Sequence, residues 1–447
     1  MAARLVPNTS LRELLAEADW TGDALARAVN AIGAEAGTPL RYGRSAVTHW
    51  LNGMCPRAPV AGFVAEAFSR KLDRPVSVGD TGLGRTPARP RNGVWEMDVV
   101  SRLIAPREAG AGGTAPLAGR GYLLAELAVP GWAELTGSRQ GWSWAAETRD
   151  RVERWHVESA SGMVGLFSDL DFAFGGGHAR MQLAGYLAAT VAPWLRAGAT
   201  PAVRRELLLT ASRLTYLCGF MFFDDELHGA AQHYYLTTLR LAAEAGDQTG
   251  YAVTLRALSG QARSLGHHRE AVHLAEAAVE AGGNTAGPQT AAFLYGQLAV
   301  AHASAGNRGE AVRHLHTAER FLDRARDRTV PIGGCHAASL AHQQAAVWAR
   351  LGDRPGAISA LTQSVRHRPA SERRSRAITL ARLAELQFDA GDLEAACGTW
   401  QRFLLDYPYL RSRRVSRALA VMRARLRPHT QNSAVIALRH KDQVFRG

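Results

Sequence analysis

A repeated local pattern constrains this chain more than any other feature. LGHHREAVHLAEAA (265–278), AGNRGEAVRHLHTA (305–318), LGDRPGAISALTQS (351–364) and AGDLEAACGTWQ (390–401) each carry a Gly turn, a polar stretch and then an Ala that opens a helix. The marker alanines read from this alignment are Ala271, Ala311, Ala357 and Ala395, with Ala230 in DDELHGAAQHYY as an earlier copy whose turn is modified. Small residues stand twelve positions before three of them, at Ser259, Ala299 and Ala345. They let the first helix of each pair pack closely on the second, whose buried stripe is exemplified by Ala271, Leu274, Ala275 and Ala278. Such a pair cannot bury its apolar face alone, so consecutive pairs stack into a solenoid with a concave surface.

This pairing resembles tetratricopeptide repeats with lengthened loops. The resemblance implies that first-helix positions line the concave groove. Counting back from the markers gives Thr215, Arg256, Arg263, His342 and Glu385 as groove candidates. Arg256 and Arg263 suit the carboxylate of a peptide, small molecule or protein effector; the alternative is that both are simply solvated.

Composition sets the remaining bounds. A chain of 447 residues has room for about three domains, and 47% hydrophobic residues supply apolar surface for real cores. The four cysteines (Cys55, Cys218, Cys335, Cys397) form no CxxC pair, so zinc, redox and haem-attachment motifs are absent and a reducing compartment is expected. The N-terminus lacks a signal-peptide apolar core, and no uninterrupted apolar run of about 18 residues suggests a membrane span. A cytoplasmic, nucleoid-associated protein is the expectation. The net charge of +13 is uneven: residues 1–90 carry +3, 91–400 carry +1 and 401–447 carry +9. Only Lys71 and Lys441 are lysines, so part of the Arg excess reflects a high-GC codon bias. The dense run Arg411, Arg413, Arg414, Arg417, Arg423, Arg425 and Arg427 reads either as a solvated helix face or as an auxiliary phosphate or acidic-partner surface.

The most specific local motif is RSAVTHWLNGMCPR (44–57). A DNA-reading helix-turn-helix needs a short helix whose leading side chains reach base edges and whose apolar residues fix it to the preceding helix. Val47, Trp50 and Leu51 supply the packing; Arg44, Ser45, Thr48, His49 and Asn52 fall on the other side. GDALARAVNAIG (22–33) is the supporting helix. The intervening loop is longer than a tight turn and adds Arg41 and Tyr42. An ordinary helical bundle is the competing reading of the same residues.

Residues 22–83 resemble the Cro/repressor-type (Xre-like) helix-turn-helix family, with SAVTHWLNG matching its recognition helix and closing Gly. The resemblance implies that Arg44, Ser45 and Ala46 lead into the major groove, that His49 and Asn52 lie along it, and that Arg57 touches the backbone. Arg44 stands where the family often has Gln, and Arg favours guanine O6/N7. LFSDLDFAFGGGHARMQLAGYL (166–187) and LTYLCGFMFFDDELHGAAQHYYLTTLRLAAEAGD (214–247) further resemble segments of Streptomyces-type actinobacterial regulators that join this module to tetratricopeptide repeats, the stretch 94–140 matching least. That resemblance implies a cytoplasmic regulator of development or secondary metabolism.

The expected fold is all-α: a helix-turn-helix domain (1–83), a linker (84–120), a helical connecting region (121–200) with helices near 145–173 and 178–196, tetratricopeptide-like repeats (201–428) and a C-terminal tail (429–447). Six tryptophans (Trp95, Trp132, Trp142, Trp144, Trp155, Trp194) suit a core or interface. FGGGHAR (174–180) reads as a turn between packed helices, since neither strand nor Lys-Ser/Thr accompanies it. His156-x-Glu158 lacks the PCxxC partner of a deaminase. His267, His268 and His273 fit a repeat turn and polar face better than a metal site, and Asp224, Asp225 and Glu226 suit capping of the next helix. No catalytic set and no cofactor are expected. The reading is a sequence-specific, DNA-binding transcriptional regulator of double-stranded DNA, acting as a homodimer because two half-sites multiply affinity, with repeats for dimerisation and sensing. The alternative is a protein-interaction scaffold whose helical N-terminus does not read DNA.

Overall fold

The computed structural model describes residues 6–84 (except 58), 95, 98–108, 119–137, 150–282, 285–325 and 335–444. Among these it is all-α. Four helices open the chain: α1 (Thr9–Glu17), α2 (Gly22–Glu35), α3 (Arg44–Leu51) and α4 (Val60–Leu72). Asn8 and Thr21 cap α1 and α2 through the Leu11 and Ala24 amides, satisfying N–H groups the first turn leaves unpaired. Leu11, Leu25, Val29, Val47, Phe63 and Phe68 close a private core for this domain.

The expected linker is not a free connector. Within 84–120, α5 (Val99–Glu108) buries Val99, Val100 and Leu103 in the core of the repeats. The connecting region is likewise core. A 3₁₀ turn (Leu124–Leu127), α6 (Trp132–Gly137), α7 (Arg154–Phe174), α8 (Gly176–Tyr186), a π-turn (Leu187–Val191) and α9 (Ala192–Arg196) pack there. The break between α7 and α8 is Gly175 alone, because Gly176 and Gly177 belong to α8. Of the six tryptophans, Trp95, Trp132 and Trp194 pack partly buried on this core, Trp155 is exposed, and Trp142 and Trp144 lie outside the described residues.

Five helix pairs follow: α10 (Pro201–Asp224) with α11 (His228–Ala245), α12 (Gln248–Ser264) with α13 (His268–Gly282), α14 (Pro288–Ser304) with α15 (Arg308–Asp323), α16 (Ala337–Arg350) with α17 (Arg354–His367), and α18 (Arg373–Asp389) with α19 (Leu393–Asp406). These are tetratricopeptide-like repeats. Although the sequence shows no uninterrupted apolar run of that length, α10 is long and apolar enough to cross a membrane; here Leu207, Leu214 and Met221 sit fully buried inside the first pair.

The structure also corrects the repeat register. Each later pair turns on a Gly with positive φ, at Gly266, Gly306, Gly352 and Gly391, and the first pair turns on Glu226 in the same left-handed region. Five residues on stand Ala231, Ala271, Ala311, Ala357 and Ala396, all essentially inaccessible to solvent. The last marker is therefore Ala396 rather than Ala395, and the first is Ala231 rather than Ala230. In that register the residue twelve before each marker is small in every copy: Gly219, Ser259, Ala299, Ala345 and Ala384. A Cβ on Gly219 would meet the Tyr235 ring at 2.8 Å, and Ser259 donates to the Ala271 carbonyl at 2.6 Å.

The expected tail is also structured. α20 (Arg413–Leu426) and α21 (Ser433–Val444) extend the stack, burying Val435 and Leu438 and pairing Arg423 with Asp442 at 2.7 Å.

Candidate functional sites: a reading helix and a roofed groove

Helix α3, the candidate DNA-contact helix, is held from behind. Val47 and Trp50 are buried. Asn30 of α2 grips the backbone of Tyr42, accepting from its N–H and donating to its carbonyl, both at 2.9 Å. The Tyr42 ring meets Trp50 edge-on at 5.3 Å. Leu40 lies so close to Gly33 that a Cβ there would come within 2.6 Å of it, which fixes the loop between α2 and α3. Gly53 ends the motif at φ +94°, where a Cβ would strike the Val6 carbonyl at 2.1 Å.

This leaves Arg41, Arg44, Ser45, Thr48, His49, Asn52 and Arg57 exposed. Thr48 donates back to the Arg44 carbonyl at 3.1 Å, so its hydroxyl faces outward as an acceptor. Tyr42 and Ala46 do not join that surface; both pack partly buried against the domain core. The segment 36–65 contains three arginines and no acid. The acids elsewhere in the domain are largely engaged: Glu17 with Arg74 at 2.6 Å, Glu35 with Arg70 at 2.8 Å, and Asp73 with Arg269 of the second pair at 3.4 Å.

Glu66 on α4 couples this domain to the repeats. Fully buried, it receives Arg70 Nε at 2.9 Å, the Leu124 amide at 3.0 Å and His267 Nε2 at 2.8 Å. His267 in turn stacks on Tyr122. The segment around Arg120–Leu123 is wedged between α4 and α11: a Cβ on Gly229 would meet the Arg120 carbonyl at 2.1 Å, and Gln232 bonds both the amide and the carbonyl of Leu123. The His267–His268–His273 stretch is thus an interdomain clasp at its first member.

The groove is roofed. α7 packs against α10 at one end of the solenoid and against α18 at the other. Beneath it lies a cavity of about 380 Å³ whose lining includes Tyr216, Phe220, Arg256, Phe293, His342 and Arg374. Two expected groove residues, Arg256 and His342, reach it. Thr215 does not; its buried hydroxyl donates to the Ala211 carbonyl at 2.7 Å, and the corrected register assigns its position to Tyr216. Arg263 lies half-buried at the end of α12, outside the lining. Glu385 pairs with Arg382 on its own helix at 2.9 Å.

The charged lining comes mostly from residues that the repeat pattern does not mark. Arg374 pairs with Asp171 at 3.0 Å and with Asp224 at 3.6 Å, and Arg414 reaches Asp224 at 4.0 Å. Glu372 accepts from His336 at 2.8 Å and from Arg368 at 2.7 Å. Burial opposes its charge, but these partners hold its carboxyl below the ordinary range. Burial, then Arg368 and Arg414, push His342 down to about 3, so its imidazole is neutral. Burial also lowers Arg256.

The acidic triplet and the C-terminal Arg run, read separately from the sequence, meet each other here. The N–H of Gly176 donates to Asp224 at 3.1 Å, so the anion position at the start of α8 is filled by the protein's own carboxylate. Asp225 binds Arg180 at 2.6 Å and the Arg413 amide at 3.1 Å, and Glu226 binds Arg417 at 2.8 Å. The triplet does not cap α11; it ties the first repeat to α20. Arg425 pairs with Asp389. Part of the run is thus engaged in packing the repeats together, while Arg411, Arg413 and Arg427 remain exposed.

Other motifs separate. His156 accepts from the Glu153 amide while Glu158 pairs with Arg154. His302, Glu310 and His314 converge within 4.8 Å, and Arg313 sets its guanidinium against both Glu310 and His314. Burial pushes the Cys335 thiol up to about 12, which removes it as a nucleophile.

A family model described as the SP15 N-terminal domain matches residues 11–84, which span most of the four-helix unit containing α3. No curated protein matches the chain. Among solved structures, the crystal structure of the APC/C hetero-tetramer Cut9-Hcn1 is similar at 14% identity and a TM-score of 0.33, covering 92% of this chain and 73% of that one.

Proposed function

We propose that this protein is a sequence-specific DNA-binding regulator that reads double-stranded DNA through α3 and senses an effector in its roofed groove. The carrying observation is the division of labour in α3. Val47 and Trp50 are spent on packing, while Arg44, Ser45, Thr48, His49 and Asn52 stand exposed in a segment with no acid. Eight helical residues span about 12 Å, the width of the major groove. Arg41 and Arg57 flank the helix as phosphate contacts, which position without specifying. The protein acts as a homodimer on paired half-sites, in the cytoplasm, and needs no catalytic step. The resemblance of its segments to Streptomyces-type regulators supports a setting in development or secondary metabolism.

Selection of bound sequences from a random DNA pool tests this reading. A defined motif should emerge, and Arg44→Ala or His49→Ala should each weaken it by about 1–3 kcal/mol without changing thermal stability. Recovery of no motif contradicts it.

A second reading, a protein-interaction scaffold, draws on the helical-repeat architecture itself and on the exposed Trp155 and Leu166 of α7. It predicts only weak DNA binding that salt erases without sequence preference.

A further inference from the structure

We infer that the roofed groove binds a small organic monocarboxylate with an apolar or aromatic body, anchored by Arg256. The inference deepens the sensing part of the function proposed above and rests on that reading for its biological meaning.

Charge accounting identifies the anchor. Four arginines line the cavity. Arg368 is matched by Glu372, Arg374 by Asp171 and Asp224, and Arg414 by Asp224. Arg256 has no carboxylate within ion-pairing distance among the described residues, and its buried Nε has no hydrogen-bond partner. Its guanidinium lies 3.7 Å from the centre of the Phe293 ring. Stacking satisfies the face of a guanidinium and leaves its N–H edge for a planar, bidentate acceptor. A buried cation without a counter-charge is costly, and one carboxylate on a ligand supplies what the protein omits. A second anionic charge would face Asp171 and Glu372, so a single charge fits best.

Shape and lining set the rest of the ligand. A volume of about 380 Å³ falls in the range of small-molecule sites. Phe172, Tyr216, Phe220 and Phe293 offer apolar and aromatic walls. With α7 spanning from α10 to α18, the long open trough that an extended peptide would need is interrupted. Arg256 also stands on α12, whose far end turns through Gly266 into His267, the partner of Glu66 in the reading domain. A ligand that pulls on Arg256 therefore acts on the helix that leads to the interdomain clasp.

The test uses the full chain without DNA and four probes: 1-naphthylacetate and octanoate, with 1-naphthylacetamide and octanamide as neutral counterparts, measured by calorimetry. At least one carboxylate should bind at one site per chain, at least about tenfold tighter than its amide. Arg256→Gln should abolish that preference and leave the amide affinity within about twofold, and Arg256→Lys should keep part of it. Circular dichroism and the thermal midpoint establish that each variant folds; if Arg256→Gln does not, Phe293→Leu must weaken carboxylate binding instead. Equal binding of acid and amide, a preference that survives Arg256→Gln, or no binding by any probe overturns the inference. These outcomes are independent of Arg44→Ala in a DNA assay, so failure of the ligand and failure of DNA reading are told apart.

Discussion

At the residue scale, much of the chemistry lies in side chains that cannot be exchanged for close relatives. Gly53 combines positive φ with contact to the Val6 carbonyl. Gly53→Ala should lower the stability of the N-terminal domain by roughly 1–2 kcal/mol, seen in urea unfolding as a lower midpoint. His228, His233 and His342 are each held near 3, mainly by burial. Their folded values lie below the unfolded value of about 6.5, so the stability they contribute is full above that pH and is lost as the pH falls through it toward 3. Asp171 and Asp225, both raised mainly by burial, act in the opposite sense, but His268, His302 and His314, also lowered by burial, add to the three. Thermal midpoints should fall between pH 6.5 and 5, with proton uptake on unfolding, and His233→Gln should reduce that uptake. Of the nine residues the sequence proposes for DNA contact, seven are exposed, so their exposure, though not their role, was legible from the helical spacing. Tyr42 is the exception: its polar neighbours Arg41 and Arg44 point to exposure, but Asn30, twelve residues away, draws its backbone inward and leaves it half-buried.

At the element scale, the repeat pattern was plain in the sequence, but its register slipped by one residue at both ends. The pairs Ala230-Ala231 and Ala395-Ala396 each offer two candidates for one buried position. Only the left-handed turn residue, Glu226 or Gly391, decides between them. That slip moved one groove candidate from Tyr216 to Thr215. The closure of the solenoid was hidden for a different reason. It joins Asp224, Asp225 and Glu226 to Arg413, Arg414 and Arg417 across nearly two hundred residues, and no local period reports such a contact. Two outcomes test these elements. Gly219→Leu should force the Tyr235 ring out of place and cost about 1–3 kcal/mol. Arg374→Met should cost about 3–5 kcal/mol by leaving Asp171 and Asp224 buried without their cation, and the Arg374→Met, Asp171→Leu double variant should recover part of it, both read by chemical denaturation.

At the scale of the whole molecule, the N-terminal four-helix domain and the repeats form a joined body. The sequence suggests a detached head on a linker, because 84–93 is rich in Pro, Gly and Arg. Glu66 and His267, which join the two parts, lie 201 residues apart and look like ordinary helix and turn residues. Glu66→Gln should weaken the dock and raise protease cleavage between the reading domain and the repeats, while the helical content of each part persists. If the proposed effector binds in the groove, this joint is the physical route to α3, since a ligand shifts an equilibrium only as far as it favours one arrangement.

The central claim is that α3 reads base sequence. The most direct measurement is a gel-shift titration of the full chain on its selected motif and on a scrambled duplex, repeated across salt concentrations with Arg44→Ala and His49→Ala. The account predicts a preference for the motif of at least about a thousandfold in the wild type, reduced by each substitution, and a salt slope that they change little compared with Arg57→Ala. Equal affinity for both duplexes, or a preference untouched by Arg44→Ala and His49→Ala together, would contradict it.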